Sequence, residues 1–403
     1  MDFNPNKKLG DRPRNLPAQA SGMGPRVALV HDWLTGMRGG EKCLEVACKR
    51  WPGATLHTLI HKKGALSPDI ERMPIRTSWL QNIPGIFRHY RYFLPLMPLA
   101  SRSWRIGPVD LVLSFSHCVA KSAPVPKGVP HICYCFTPMR YAWHQRNAYF
   151  GGPGRSLLRK GKDALRDTLL DTLQKWDART AQGVTRFIAI SHTIAGRIRE
   201  AYGRESDVIY PPVDTEFYTP APVPREDHYL VISALAPYKR LDLAIEACKK
   251  LGKTLYVIGS GQEESKLRQL GNEKIHFLGW QPDEVLRDHL RRCKALLFPG
   301  EEDFGIVPLE AQACGTPVLA LGKGGATETI VPRGANAPCT GVWFAEPVLD
   351  SLVEGIETME REHGRIDPVH CRQNALRFRL ERFQNELLDT VARECQSTMK
   401  KAA

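Results

Sequence analysis

Among the residues able to do chemistry, two glutamates separated by seven residues carry the most information: Glu302-Asp-Phe-Gly-Ile-Val-Pro-Leu-Glu310, continued by Ala311-Gln-Ala-Cys-Gly315-Thr-Pro-Val. The block follows an apolar run, Ala295–Phe298, that reads as a strand, and it opens a helix. Glu302 then stands in the loop before that helix. The backbone N–H groups of Phe304, Gly305 and Ile306 form its positive end, which suits a diphosphate or a sugar hydroxyl. Glu310 falls on the helix, where one carboxylate can accept from both hydroxyls of a ribose. Gly315 and Pro317 end the helix and turn the chain into the next strand. Taken singly, either glutamate is more often a solvated surface charge. The signal is the block with its flanks.

Lys239 and Arg240 lie just past another strand, Tyr229–Ser233. Negative charge develops on a departing diphosphate, and a site without a metal ion must meet it with Lys or Arg. A basic start to a surface helix is the competing reading. His117 follows the strand Val109–Phe115 and is either a cleft residue or a structural histidine at a strand end. After the strand Arg26–Val30 comes His31-Asp-Trp and then Gly36-x-x-Gly39-Gly40-Glu41. Glycines there let backbone approach a ligand, and the helix they open offers free N–H groups. A plain turn explains the same pair.

The elements that must position these groups form an alternation of short β-branched runs and longer amphipathic segments, the mark of parallel sheets covered by helices. Strands are predicted in the first half at Thr55–Ile60, His131–Phe136 and Arg186–Ser191 besides those above, with a helix from Gly40 to Trp51 burying Leu44, Ala47, Cys48 and Trp51. The stretch from Tyr210-Pro-Pro-Val-Asp214 to Asp227 holds Pro211, Pro212, Pro220, Pro222 and Pro224 and no periodicity, so it reads as a domain linker. A second alternation follows, with strands at Thr254–Ile258, Ile275–Leu278 and Pro317–Leu321 and helices at Leu241–Leu251, Gln262–Leu270, Pro282–Arg292 and Ile306–Cys314. The expectation is an α/β chain of two Rossmann-like domains facing each other across a cleft. Residues 1–24 would be a disordered leader, 25–212 and 213–380 two Rossmann-like domains, and 381–403 a helical tail packing back across both. Ligands in such sheets bind outside the carboxyl ends of the strands.

Composition narrows the class. At 403 residues the chain exceeds one ordinary core. No run approaches the roughly 20 apolar residues of a membrane span, and Met1–Pro25 has no apolar stretch of the secretory kind. The 11 cysteines fall mostly inside apolar patterns as small hydrophobes, and Cys133-x-Cys135 matches no zinc spacing. These features suit a reducing cytoplasm. The net charge of +13 is uneven: Ile86–Lys162 holds 12 Lys/Arg against the single acid Asp110. Such asymmetry implies an anionic partner, nucleic acid or a phospholipid surface. Aromatics mixed with Arg88 and Arg91 beside the run Leu94–Leu99 suit a membrane interface, and a buried helix with a solvated basic edge is weighted equally. No nucleic-acid module accompanies the stretch, so nucleic acid is not expected as a partner.

From Arg26 to about Phe383 the chain resembles the retaining glycosyltransferases of family 4, with the GT-B fold. Their mark is the two-glutamate block followed by Ala-x-Ala-x-Gly-x-Pro-Val. Tyr210–Asp214 resembles the family's interdomain hinge, Ser233–Arg240 its diphosphate loop, and Ile258-Gly-Ser-Gly261 the turn near the base. The resemblance implies that Glu302 contacts the donor sugar, Glu310 the ribose and Lys239 the diphosphate. It also implies that Gly39 and Gly40 lie beneath the phosphates and that His117 reaches the reacting sugar. Arg140, in the block His131–Trp143, is left for the acceptor side. Relatives often carry Arg at the position of Ala234 and His at that of Phe136. The phosphate clamp is then expected either to draw partly on Arg240 or to be weaker. Asp-x-Asp, the metal–diphosphate signature of the other major glycosyltransferase fold, is absent. The expectation is a metal-independent, retaining hexosyltransferase without a resident cofactor, using GDP-mannose first or a UDP-hexose. Its acceptor would be lipid-linked or a polysaccharide, and its place the cytoplasm, peripheral on the inner face of the cell membrane. A same-fold nucleotide-sugar epimerase and a catalytically inactive membrane-bound relative are the alternatives.

Overall fold

The computed structural model describes residues 25–143, 157–334 and 338–402. The expected leader, 1–24, lies outside the described residues, as does the 144–156 portion of the basic stretch.

The first domain is built on a seven-stranded sheet in the order β3-β2-β1-β4-β5-β6-β7. Its strands are β1 (Val27–His31), β2 (Thr55–Thr58), β3 (Ile75–Thr77), β4 (Leu111–Ser116), β5 (His131–Cys135), β6 (Arg186–Ala189) and β7 (Ser206–Val208). The second domain has six strands in the order β10-β9-β8-β11-β12-β13. These are β8 (His228–Ile232), β9 (Thr254–Ile258), β10 (Ile275–Gly279), β11 (Ala295–Phe298), β12 (Val318–Leu321) and β13 (Gly341–Phe344). All pairings within both sheets are parallel. Helices cover both faces, which is why β1, β4, β5 and β11 are buried along their whole length rather than on alternate residues.

Strand order reverses beside β1 and β4 in the first domain and beside β8 and β11 in the second. A crevice opens at the carboxyl ends of the strands at such a reversal. The residues that follow those four strands are Asp32, His117, Ser233 and the loop to Glu302, so topology alone gathers the sequence motifs around one cleft. The Pro-rich stretch after Ile209 crosses between the domains without helix or regular strand. Helix Pro368–Leu376 packs on helix Ile306–Ala313. Helix Leu380–Ala402 then returns to the first domain, where Phe383, Leu387 and Val391 join its core and Phe383 lies edge-on to Tyr134 at 5.5 Å.

Three short strands, β3, β7 and β13, and the helix Leu349–Glu362 are additional to those read from the pattern. In the basic stretch the observed packing agrees with the equally weighted reading, a buried segment with a solvated basic edge. Tyr90, Leu94, Met97 and Ala100 are buried in the first-domain core, because the segment turns as short helical pieces with one face inward. Tyr90 and Leu94 therefore cannot insert into a bilayer. Phe87, Tyr92, Leu96 and Leu99 stay exposed. Lys121 is buried and ion-paired with Asp177, so it adds nothing to a surface field.

Candidate functional site

The cleft between the domains has a volume of about 620 Å³ and is walled by both sheets' carboxyl ends. Its first-domain wall begins at Asp32. This carboxylate, wholly buried, accepts from the backbone N–H groups of His117 (2.6 Å), Cys118 (3.0 Å), Val119 (2.6 Å) and Ala120 (2.7 Å). Oxygen Oδ2 also lies 3.0 Å from His117 Nδ1. With Nδ1–H turned to Asp32, Nε2 of His117 is left with its lone pair for the cleft. Burial, and then the positive fields of Arg140, Arg38 and Arg91, hold the His117 pKa down to about 3. His117 is therefore a neutral hydrogen-bond acceptor, not a cation.

His31 lies beside it with ring centroids 6.2 Å apart, and its Nδ1 meets the Trp33 carbonyl at 3.0 Å. Burial lowers its pKa to about 4. Phe136, where relatives often carry His, lines the same wall. Glycine at position 40 is what admits it: a Cβ there would lie 3.2 Å from Phe136 Cζ and 3.6 Å from His31 Nε2. Gly39 has the same role across the cleft, since its Cβ would meet Ile306 Cδ1 at 2.8 Å.

The second-domain wall holds the loop Ile232–Lys239, Gly261, and the run Glu302–Val307. Gly305 takes a left-handed φ of +89° that starts helix Ile306–Ala313, so Phe304, Gly305 and Ile306 line the cleft at its amino end. Lys239 is ion-paired with Glu302. Asp303, next in sequence, faces the first domain: Arg140 Nη2 lies 2.7 Å from its carboxylate, Arg197 is paired with it too, and its carbonyl accepts from Ser191 Oγ at 2.7 Å. A second tie is Glu328, whose carboxylate accepts from the His192 and Thr193 N–H groups at 2.8 and 3.0 Å. That carboxylate sits at the amino end of helix His192–Tyr202, where negative charge is favoured.

The structure thus brings His117, Gly39, Gly40, Arg140, Lys239, Gly261, Glu302, Phe304, Gly305 and Ile306 to one cleft. Two expected residues stand differently. Arg240 does not line the cleft; its guanidinium is held by Asp242 and, at 2.9 Å, by the Pro347 carbonyl. The residue adopts a left-handed φ of +53° and, held by these partners, does not join Lys239 at the cleft, where the phosphate clamp was expected to draw on it. Glu310 is buried behind the cleft wall, where Lys42 Nζ reaches it at 3.2 Å. Burial raises its pKa while Lys42 opposes the rise. Asp32, Lys42, Arg197 and Glu328 escaped the sequence reading. Of these only Asp32, following a strand, carried any local signal.

Two facing Rossmann-like domains with a cleft at their strand ends define the GT-B fold. Residues 65–217 match the model for Glycosyltransferase Family 4, and residues 217–378 that for glycosyl transferases group 1. The chain belongs to glycosyltransferase family 4. It is 32% identical over 141 residues to a D-inositol 3-phosphate glycosyltransferase of Mycobacterium sp. (strain JLS), covering 30% of this chain and 32% of that one. It is 35% identical over 116 residues to a GDP-mannose-dependent monoacylated alpha-(1-6)-phosphatidylinositol monomannoside mannosyltransferase of Corynebacterium glutamicum, covering 25% and 30%. The matched stretch thus spans about a third of each of these relatives. The crystal structure of Anabaena HepE in complex with UDP and glucose superposes with a TM-score of 0.66 at 19% identity, over 92% of this chain and all of that one. At that identity the likeness speaks for the fold.

Proposed function

We propose that the protein is a retaining glycosyltransferase that moves a hexose from a nucleotide-sugar, GDP-mannose first or a UDP-hexose, to a lipid-linked or polysaccharide acceptor. The observation that carries this reading is the convergence of Lys239, Glu302 and the amino end of helix Ile306–Ala313 opposite the Asp32–His117 pair. The helix end and Lys239 offer positive charge where a diphosphate departs. Glu302 beside Lys239 is set to accept from a sugar hydroxyl. His117 Nε2, fixed as an acceptor by Asp32, takes a second hydroxyl of the transferred sugar from the other wall. In the transfer itself the acceptor oxygen bonds to the anomeric carbon on the face that the diphosphate leaves. The carbon–phosphate-oxygen bond breaks, and the acceptor proton passes to the departing oxygen. No resident cofactor or metal is assigned to this scheme.

Peripheral membrane association on the cytoplasmic side belongs to the same proposal. Its support is the outward face of the segment from Phe87 to Leu99, where Phe87, Tyr92, Leu96 and Leu99 are exposed beside Arg88 and Arg91. Thermal-shift screening against GDP-, UDP- and ADP-sugars, followed by product analysis, tests the proposal. A sugar-nucleotide at 100 times its dissociation constant adds about 2.7 kcal/mol of stability. Transfer or slow hydrolysis supports the reading. Isomerised donor sugar would mean an epimerase, and binding without turnover an inactive relative.

A further inference from the structure

We propose that Lys42 competes with the ribose of the donor nucleotide for the Glu310 carboxylate, and so sets how tightly the donor is held. The proposal rests on the glycosyltransferase reading above, with the nucleotide in the cleft, and adds to it a first-domain residue that acts against binding.

Glu310 stands four residues past Ile306, about 6 Å along the helix axis from the end that the proposed scheme turns to the diphosphate. A ribose joined to that diphosphate falls there. The partner of Glu310 comes from the other domain. Lys42 Nζ, on helix Gly39–Arg50, lies 3.2 Å from Glu310 Oε1 and 4.0 Å from Asp283 Oδ2. The Glu310 side chain is 7% exposed and that of Lys42 35%, so the lysine is the solvent-side member of the pair. Arg38–Glu41 and Glu302–Val307 line the cavity, whereas neither Lys42 nor Glu310 does. The two are thus joined across the domains just outside it, and a hydroxyl reaches the carboxylate by taking the place of the ammonium.

The surroundings favour such an exchange. A buried carboxylate needs hydrogen-bond donors, and the hydroxyls of a ribose replace those that the ammonium withdraws. The displaced ammonium has Asp283, 57% exposed, within reach, so it keeps a counter-charge while moving toward solvent. The Tyr218 ring centroid lies 5.9 Å from Lys42 Nζ, and the Tyr218 hydroxyl is buried without a hydrogen-bond partner among the described residues. That hydroxyl feels the fields of Glu310 and Asp283, so an unmet polar group accompanies the carboxylate. The sign of the effect separates competition from simple attraction. Removing a cation near a diphosphate weakens binding if only Coulomb forces act. Removing a competitor for the ribose contact strengthens it.

The test is calorimetric titration of the full chain with UDP and with GDP. Lys42→Met, which keeps the aliphatic stem, should bind whichever nucleotide the wild type takes at least threefold more tightly. In a Glu310→Gln background the same change should no longer tighten binding. Lys42→Arg, whose fork grips a carboxylate in two places, should bind the nucleotide at least threefold more weakly. This variant leaves the buried carboxylate paired, so it decides the question even if Lys42→Met does not fold. Unchanged or weaker binding by Lys42→Met overturns the proposal, as does a gain that persists in the Glu310→Gln background. Equal or tighter binding by Lys42→Arg overturns it too. Failure of the underlying reading is seen separately, as wild-type protein that binds neither nucleotide.

Discussion

Replacing Glu41 by Gln should make the protein more stable, and increasingly so as pH rises. Glu41 is 3% exposed in the first turn of helix Gly39–Arg50. Burial, opposed by local backbone hydrogen bonds and Arg38, lifts its pKa from 4.5 to about 7. Such a group favours the folded state fully only below its unfolded pKa. As pH climbs from 4.5 through 7, the unfolded chain releases the proton first and the folded state loses ground. At about 1.36 kcal/mol for each factor of ten in protonation, the full cost is about 3 kcal/mol. Between pH 5.5 and 8.5 the gap between variant and wild type should widen by about 2 kcal/mol, because part of the cost is already present at the lower pH. Glutamine keeps the shape and removes the titration, while every other ionisable group cancels in the comparison. Parallel urea unfolding of both proteins at the two pH values, followed by tryptophan fluorescence, measures the gap. A gap that does not change with pH refutes the argument and means that Glu41 is solvated in the folded state.

If the ribose takes Lys42's place on its carboxylate, Glu310→Ala should weaken nucleoside diphosphate binding by about 1.5–3 kcal/mol, as read by calorimetry; unchanged affinity in a folded variant leaves Glu310 as the partner of Lys42 alone. Glu302→Ala should spare that affinity and depress kcat, and a wild-type kcat would leave Glu302 as a partner of Lys239 alone. Activity should survive EDTA, with Lys239 and the helix N–H groups facing the diphosphate; loss that Mg²⁺ restores contradicts the scheme. Anionic vesicles should sediment the protein more than neutral ones at low salt, and reversing Arg88, Arg91, Arg102 and Arg105 should abolish the difference.

Much of the architecture is legible in the sequence because it is local. The runs Val27–His31 and Ala295–Phe298 are apolar at every position, as buried parallel strands must be, and Gly305 and Gly315 bracket a helix that the spacing of its neighbours already implies. The edge strands β3 and β7 were not legible, since each is three residues long, partly to fully exposed and without an apolar run; β13 lay outside the stretches the pattern marked. Likewise the inward turn of Tyr90 and Leu94 follows from how short helical pieces seat against the sheet, which composition does not record.

The candidate site divides the same way. Glu302, Lys239, His117 and the paired glycines announce themselves by residue type at strand ends, and the strand order gathers them. The sequence by itself therefore marked most of the groups that face the cleft, though Arg240 and Glu310 do not line it. The tertiary structure decided their electrical state and their partners. Burial keeps His117 neutral, and Asp32, 85 positions away, takes its Nδ1 and so leaves Nε2 as the acceptor. Arg140 meets Asp303 and Lys42 meets Glu310 only once the two domains are docked. Arg240, beside Lys239 in sequence, is held instead by Asp242 and the Pro347 carbonyl. Strand and helix patterns arise from neighbours within a few positions. Charge pairing and burial depend on distances through space, and those are set when the two sheets close on one another.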